Sequence, residues 1–485
     1  MNDPAPLGRL LSGALPPALP GAERRLAEQL AAWLALRIDE HALKPGTRLP
    51  SIRRFAEERG VSRSTVVEAY DRLIAAGYAE SRRGSGFYVR ARRTPQTAAA
   101  RAGGAARVTV KDAPPEFDVL WLLRAMLRQA PAGAQPGAGL LPAEWLDGEI
   151  IAAGVRAVGR GTGSGLLSYG LPEGYLPLRQ QLVERLALAD IGAAPEQIVT
   201  TNGVTQAIDL VARHFLGPGD TVFVEDPAWF LMFGRFAAFG ARVVGVPRRH
   251  DGPDLAVLAN LLTRHQPKLF VVGSVLHNPT GSSISAANAH GLLKLADAYG
   301  FTLVEDDVYG DLHPARALRL AALDQLKRVV YLGGFSKTLA AGLRVGFIAA
   351  RAPLAQQLAD LKMLTGLTTP ELTERVVTRV LADGQYRRHL DRVRARLDAA
   401  RDRTARALER IGARLYMQPE AGPFLWADFG RDTNAIAAEG AQQGVLCAPG
   451  SLFSPTQLPS TWMRVSAATA MNPAALRFLA EAIGR

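Results

Sequence analysis

The chain has 485 residues, of which 48% are hydrophobic, and a formal net charge of +12. That length exceeds what one core serves and predicts two to four domains. No run approaches the ~18 uninterrupted apolar residues of a membrane span, and the single cysteine, Cys447, excludes an internal disulfide and reads as a buried apolar residue rather than a zinc ligand.

The opening stretch "MNDPAPLGRLLSGALPPALPGAERR" has an acidic residue and prolines where a signal peptide needs a basic and then an apolar run, so a cytoplasmic location is expected. Residues 1–110 hold 18 Lys and Arg against 10 Asp and Glu, and the remainder 39 against 35. A basic excess in the first quarter points to a polyanion partner or to a solvated surface. Arginine outnumbers lysine 50 to seven. A lysine in a glycine-rich turn is therefore a hint of amine chemistry, because arginine cannot form an imine.

In chain order, "RRLAEQLAAWLALRID" (24–39) sets Leu26, Leu30, Trp33 and Ile38 on one helical face. "LPSIRRFAEERG" predicts a short helix with Ser51 as N-cap and Gly60 as its stop, and "VSRSTVVEAYDRLIAAG" repeats the pattern with Ser62 and Gly77. Two helices joined at Gly60-Val61 read as helix-turn-helix, and the β-prone runs of "YAESRRGSGFYVR" read as a hairpin wing. Residues 91–116, rich in Ala, Gly, Arg and Pro without periodicity, read as a flexible linker. Beyond it, "TVFVE", "RVVGV", "LFVVG", "TLVE" and "VVYL" alternate with helical patterns, the signature of an α/β domain with a mostly parallel sheet. A smaller α+β subdomain is expected over roughly 371–485.

A recognition helix offers its first turn to the major groove while its neighbours hold phosphates. Arg63, Ser64 and Thr65 occupy that turn; Arg53, and Arg82 or Arg83 on the wing, are placed for backbone contacts, and Gly84 and Gly86 let the wing approach closely. The same arginines also read as a solvated helix pair. "GTRLPSIR" (46–53), "VSRSTV" and "GSGFYV" follow the order and spacing of the GntR family, so roughly residues 24–90 of an expected 1–90 domain resemble its winged helix-turn-helix domain, which implies a double-stranded DNA operator as partner.

In open α/β sheets ligands gather at the carboxyl ends of the strands. "VEDPAW", "HNPTG", "VEDDVY" and "GGFSK" each follow a predicted strand there. Pyridoxal 5'-phosphate needs an amine, a carboxylate for its ring nitrogen, donors to its phenolic oxygen and a phosphate cradle. Lys337 supplies the amine for a Schiff base, Asp306 the carboxylate, and Asn278 and Tyr309 the phenolic-oxygen partners. The helix start at Gly203, Val204 and Thr205 supplies free amides which, with Arg344, suit the phosphate, and Trp229 is placed to stack on the ring. No metal is expected. Taken singly, Asn-Pro-Thr-Gly also reads as a plain turn and a lone lysine as a solvated one.

Within an expected 117–485 domain, residues from about 137 to 485, with "SYGLPEGYLPLRQ", "TNGVTQAIDL", "HNPTGSSIS", "VEDDVYGDL", "FSKTLAAGLRVG" and "WMRVS" in order, resemble fold-type I aminotransferases. The resemblance implies that Arg464 binds an effector's α-carboxylate and that Tyr169 belongs to the effector site. Gly334 departs from the family, which carries Ser or Thr three residues before the lysine. A winged helix joined to such a domain resembles the MocR subfamily of GntR regulators. That implies a homodimer, head-to-tail swapped in many members, whose cofactor domain senses pyridoxal phosphate or an amine and shifts DNA affinity. The alternative is a working aminotransferase with a DNA-tethering module; a cofactor-free scaffold would show no visible absorbance.

Overall fold

Leu30, Trp33, Leu34 and Ile38 are buried along one face of the first helix, α1 (Leu26–Asp39), while Leu26, expected on that face, is exposed at the helix start. The computed structural model describes residues 26–39, 43, 46–82, 85–90, 134–161 and 167–484, and the chain divides into two units, 1–110 and 111–485.

In the first unit α2 (Ile52–Arg59) starts where the Ser51 hydroxyl accepts from the Arg54 amide at 3.3 Å, and it stops at Gly60 in the left-handed region. Helix α3 (Arg63–Ala75) begins three residues later under the Ser62 cap, with Gly77 at φ 73° just past its end. Phe55, Val66, Tyr70 and Leu73 close the core against α1, and the Tyr70 hydroxyl donates to the Pro50 carbonyl at 2.9 Å. Strands β1 (Ala79–Arg82) and β2 (Gly86–Val89) form the antiparallel wing. Arg83 and Gly84 of its tip, and the expected linker, lie outside the described residues.

The second unit runs α4 (Gly148–Gly159), α5 (Leu176–Leu188), β3 (Ile198–Thr201), α6 (Val204–Phe215), β4 (Thr221–Asp226), α7 (Leu231–Ala238), β5 (Arg242–Arg249), β6 (Gly252–Pro253), α8 (Leu255–Leu262), β7 (Pro267–Val272), α9 (Ala286–Tyr299), β8 (Thr302–Asp306), α10 (Leu320–Asp324), β9 (Val329–Gly334) and β10 (Gly346–Ala349). Its sheet has the order β3-β10-β9-β8-β7-β4-β5-β6. The pairs from β9 through β8, β7 and β4 to β5 are parallel; β10 and β6 pair antiparallel.

The sheet is covered on both faces, as its continuous apolar strands require. Leu269 and Val271 of β7 enter one core with Ile208 and Val211 of α6, while Phe270 and Val272 enter the other with Leu182 and Leu292. The chain continues through α11 (Ala352–Gly366), α12 (Glu371–Ala382) and the 26-residue α13 (Gln385–Arg410). It ends with β11 (Arg414–Leu415), β12 (Phe424–Asp428), α14 (Thr433–Gln442), β13 (Ala448–Pro449), β14 (Trp462–Ser466) and α15 (Pro473–Gly484). The four strands form a second antiparallel sheet, β11-β12-β14-β13.

A separate core containing Leu408, Leu425, Phe478 and Cys447 backs this sheet. Burial pushes the Cys447 thiol up to about 12, which leaves it unreactive. Residues 134–139 run along the sheet, the Leu446 amide donating to the Ala134 carbonyl at 2.9 Å and the Ser466 amide to the Pro136 carbonyl at 2.7 Å. Among the described residues no helix is long and apolar enough to cross a membrane, and no His, Cys, Asp and Glu group could hold a metal.

Candidate functional site

The strand ends of the large sheet open into a cleft. Val204, Thr205, Trp229, Asn278, Asp306, Tyr309, Lys337 and Arg344 all line it. Lys337 follows β9, and its Nζ donates to the Gly139 carbonyl at 3.1 Å. Burial, then the charges of Arg464 and Arg344, pull its pKa down to about 8, against the pull of Asp306. A lysine so depressed holds a usable fraction of neutral, nucleophilic amine near neutrality.

Asp306, the last residue of β8, is pushed up to about 7 by burial, with Asp307 adding to the rise and Lys337 opposing it. Its Oδ1 is buried without a hydrogen-bond partner, which asks for a donor from outside the chain. Strand alternation turns Asp307 the other way, onto Arg319 and Tyr331 at 2.6 Å each. Burial raises the Tyr309 phenol, and the Tyr309 ring packs edge-on against Phe424 at 5.2 Å.

Gly203 and Arg344 shape the anion end. Gly203 caps α6 with φ 76°, and a Cβ there would come within 2.6 Å of Arg344 Nη2. Arg344, itself left-handed at φ 53°, donates to the Asn202 carbonyl at 2.8 Å and the Ser336 hydroxyl at 3.3 Å. The helix amides and the guanidinium therefore converge on one spot. Gly334 lies in a close-packed corner. A Cβ there would sit 3.3 Å from Val204 and 3.4 Å from Gly346, and one at Gly346 would press on Gly203 at 2.8 Å. Ser336, on the cleft wall, offers a hydroxyl two residues on.

Arg464 on β14 is 2% exposed. It donates through Nη1 to Asn278 Oδ1 at 3.0 Å and through Nη2 to the Gly137 carbonyl at 2.7 Å, and its Nε has no partner. Burial between Phe424 and Phe453 pulls its pKa down to about 10. Tyr169 stands apart: it is 83% exposed and does not line the cleft of its own chain.

Two wall residues escaped the sequence reading. Glu225 accepts from the Gly273 amide at 2.8 Å and from buried Arg248, and His277 Nε2 lies 3.4 Å from it. Burial and the Arg248 charge push His277 well down, so it is neutral. "VEDPAW" and "HNPTG" contain both residues, but their partner Arg248 comes from β5 and only the folded sheet brings it there.

On the first unit, Arg63 is exposed at the start of α3. The Ser64 and Thr65 hydroxyls each lie 2.7 Å from that of Ser62, at the helix cap. Arg53 pairs with Glu57 at 3.1 Å, and Arg82 pairs with Glu80 and lies over the Tyr88 ring at 4.5 Å. Exposed pairs of this kind contribute little and exchange readily for a phosphate. Gly86, at φ 107°, lies against the Arg48 side chain, a basic residue the sequence reading passed over.

Residues 26–89 match the model of the bacterial regulatory proteins of the gntR family, and residues 141–483 that of the class I and II aminotransferases. The probable rhizopine catabolism regulatory protein MocR of Rhizobium meliloti is 30% identical, over 79% of this chain and 76% of its own. The chain belongs to the MocR-type GntR regulators. Like other MocR-type chains it joins a DNA-binding domain to a pyridoxal-phosphate-binding fold-type I domain. That second half is also 33% identical to 2-aminoadipate transaminase of Thermus thermophilus, over 70% of this chain and 85% of that one. The crystal structure of alpha-aminoadipate aminotransferase from the same organism, complexed with N-(5'-phosphopyridoxyl)-L-leucine, superposes on this MocR-type chain with a TM-score of 0.69 at 30% identity, covering 75% of this chain and 94% of that one.

Proposed function

We propose that the protein is a transcriptional regulator that holds pyridoxal 5'-phosphate on Lys337 and changes its operator affinity when the cofactor, or an amine that displaces Lys337 from it, occupies the cleft. One observation carries this reading: a single chain presents exposed Arg63 on a gntR-type recognition helix, and its second unit gathers a depressed lysine, an orphaned buried carboxylate and a Gly203–Arg344 anion cradle in one cleft. The residues fit the cofactor. When bound, it supplies an aldehyde to amines and an electron-withdrawing ring.

Lys337 would offer its neutral amine to that aldehyde. Asp306 would accept from the ring nitrogen, Asn278 and Tyr309 would hold the phenolic oxygen, and Trp229 would cover the ring. The α6 amides, Ser336 and Arg344 would take the phosphate, and Arg464 would exchange the Gly137 carbonyl for an effector carboxylate. A cytoplasmic location accords with a chromosomal target.

The Lys337 shift sets a pH test. A neutral amine is required, so the rate at which visible absorbance appears on mixing apoprotein with cofactor rises with pH and levels off above about 8, instead of climbing toward the ordinary lysine range. A rate that keeps rising to pH 10 contradicts the assignment.

Asp306→Asn gives a second test. A carboxyl raised in the folded state contributes stability below its unfolded pKa and loses it as pH rises through the folded value. The apoprotein therefore loses stability between roughly pH 4 and 7 on this account, and the asparagine variant loses less. The same variant binds cofactor at least about tenfold more weakly, because the ring nitrogen loses its charged partner. Thermal melts with and without cofactor check both effects.

A homodimer is the assembly the surface supports. Leu167, Tyr169 and Leu171 are exposed on one loop, and Leu364, Leu367 and Leu372 near the junction of α11 and α12. The two stretches adjoin, Tyr175 donating its amide to Glu374 at 2.7 Å. An apolar patch this continuous marks an interface, and a second copy is the setting in which Tyr169 can serve an effector. Leu364→Asp should give monomers by sedimentation at micromolar concentration; an unchanged dimer would place the interface elsewhere.

The second reading, an active aminotransferase tethered to DNA, is favoured by the joint presence of Lys337, Asp306 and Arg464 at one site. Sustained turnover with a keto-acid acceptor near ~10 per second would support it over slow single half-reactions.

A further inference from the structure

The residue after Lys337 is gripped at two points. Thr338 is 0% exposed, and its hydroxyl lies 2.6 Å from the Tyr386 hydroxyl, while its carbonyl accepts from His389 Nε2 at 2.8 Å. Tyr386 and His389 stand one turn apart on α13 and are buried. The Tyr386 hydroxyl gives its single proton to Asp311 Oδ2 at 2.7 Å, so Thr338 is the donor to Tyr386. Asp311 also accepts from Arg185 Nη2 at 2.7 Å, and its carbonyl from Arg394 Nε at 3.0 Å. Every oxygen in the chain from Thr338 to Asp311 is therefore bound.

The same helix reaches the small sheet. Thr404, 18 residues after Tyr386 and about 27 Å further along the rod, donates to the Ala467 carbonyl at 3.3 Å, three residues past Arg464. One rigid helix thus anchors the backbone beside Lys337 at one end and the strand carrying Arg464 at the other. An amino acid bound in the cleft must bridge those two cations, with its nitrogen at the lysine end and its carboxylate at the arginine.

We propose that Tyr386 and His389 are positioning residues that act through Thr338, and that α13 sets the span between the Lys337 amine and the Arg464 guanidinium. The proposal rests on the reading of Lys337 as the cofactor lysine. None of the three residues touches the cleft. Their effect is on where Lys337 stands.

The test uses the full-length protein loaded with pyridoxal phosphate. Tyr386→Phe removes one oxygen and leaves Asp311 held by Arg185; Thr338→Val removes the other partner of the same bond, and Thr338→Ser keeps it. The pH midpoint of the visible cofactor band should move by at least ~0.5 unit in Tyr386→Phe and in Thr338→Val, and stay at the wild-type value in Thr338→Ser. The double variant should match Tyr386→Phe, because Thr338→Val then removes a hydroxyl whose acceptor is already gone.

The concentration of L-leucine giving half the spectral change should rise about tenfold in the same variants and not in Thr338→Ser. Should Tyr386→Phe fail to fold, Thr338→Val against Thr338→Ser makes the same comparison. Wild-type midpoints and half-saturation in both Tyr386→Phe and Thr338→Val would overturn the proposal while leaving the cofactor lysine intact. A wild-type protein with no visible band would overturn the parent reading, and this proposal with it.

Discussion

Replacing Lys337 by alanine abolishes the visible absorbance of the cofactor-treated protein and leaves operator binding measurable. The chain has only seven lysines. Lys362, also pulled down to about 8 by burial, has its Nζ on the Thr200 carbonyl at 2.8 Å and is absent from the cleft wall, so it cannot substitute. The variant should remain folded. A lysine whose pKa falls from 10.5 to about 8 on burial destabilises the folded state at neutral pH, by up to about 3 kcal/mol at 1.36 kcal/mol per unit.

The sign follows from proton binding: between about pH 8 and 10.5 the unfolded chain holds a proton that the folded chain does not, so wild-type stability rises with pH across that window. Lys337→Ala should show a smaller rise, since Lys362 keeps its own contribution, and melt no lower than wild type at pH 7. Spectra and melts at two pH values check both parts. An intact visible band in the variant would refute the assignment of Lys337.

Arg63→Ala has the second large effect, at the other end of the chain. Arg63 opens α3, whose buried face is Val66, Ala69, Tyr70 and Leu73, so on the proposed reading the exposed side of its first turn would be the side offered to DNA. Ser64 and Thr65 hold hydroxyl bonds to the Ser62 cap, so on the proposed reading the Arg63 guanidinium would be the strongest reader of that turn. Losing a bidentate contact to a guanine costs about 1–3 kcal/mol, roughly 5- to 150-fold in affinity for one head, and more for a dimer with two heads on one operator.

Binding to unrelated DNA should change far less, and the visible spectrum not at all. Electrophoretic shift or anisotropy against the chain's own upstream DNA and a scrambled duplex, at one salt concentration, measures the ratio. Equal loss on both duplexes would make Arg63 a phosphate contact; no loss would remove it from the interface.

How far the sequence led depends on the kind of signal. Ser51, Gly60 and Ser62 fixed the turn of the helix pair because caps are local chemistry, and they hold in the structure. The five long strands announced themselves by continuous apolar runs, whereas "IVTT" and "GFIA", four residues each, were too short to stand out and became β3 and β10. Lys337, Asp306, Asn278 and Tyr309 were legible because each sits in a compact motif just past a strand.

Residues joined only by the fold were not legible. Arg248 reaches Glu225 across the sheet, Tyr386 reaches Thr338 from 48 residues away, and the Gly137 and Gly139 carbonyls meet Arg464 and Lys337 across more than 190 residues. Tyr169 is the opposite case: its motif was plain, but its side chain faces outward within one chain.

The most direct measurement is a titration of the full-length protein against its own upstream DNA at fixed salt, because phosphate contacts make affinity salt-dependent. It is run as apoprotein, with pyridoxal phosphate, and with pyridoxal phosphate plus candidate amino acids and amines. A regulator of this design changes its operator affinity several-fold in at least one of the loaded states, and Lys337→Ala does not show that change. Identical affinities in every state, alongside sustained transamination, would contradict the sensor reading and establish the tethered enzyme.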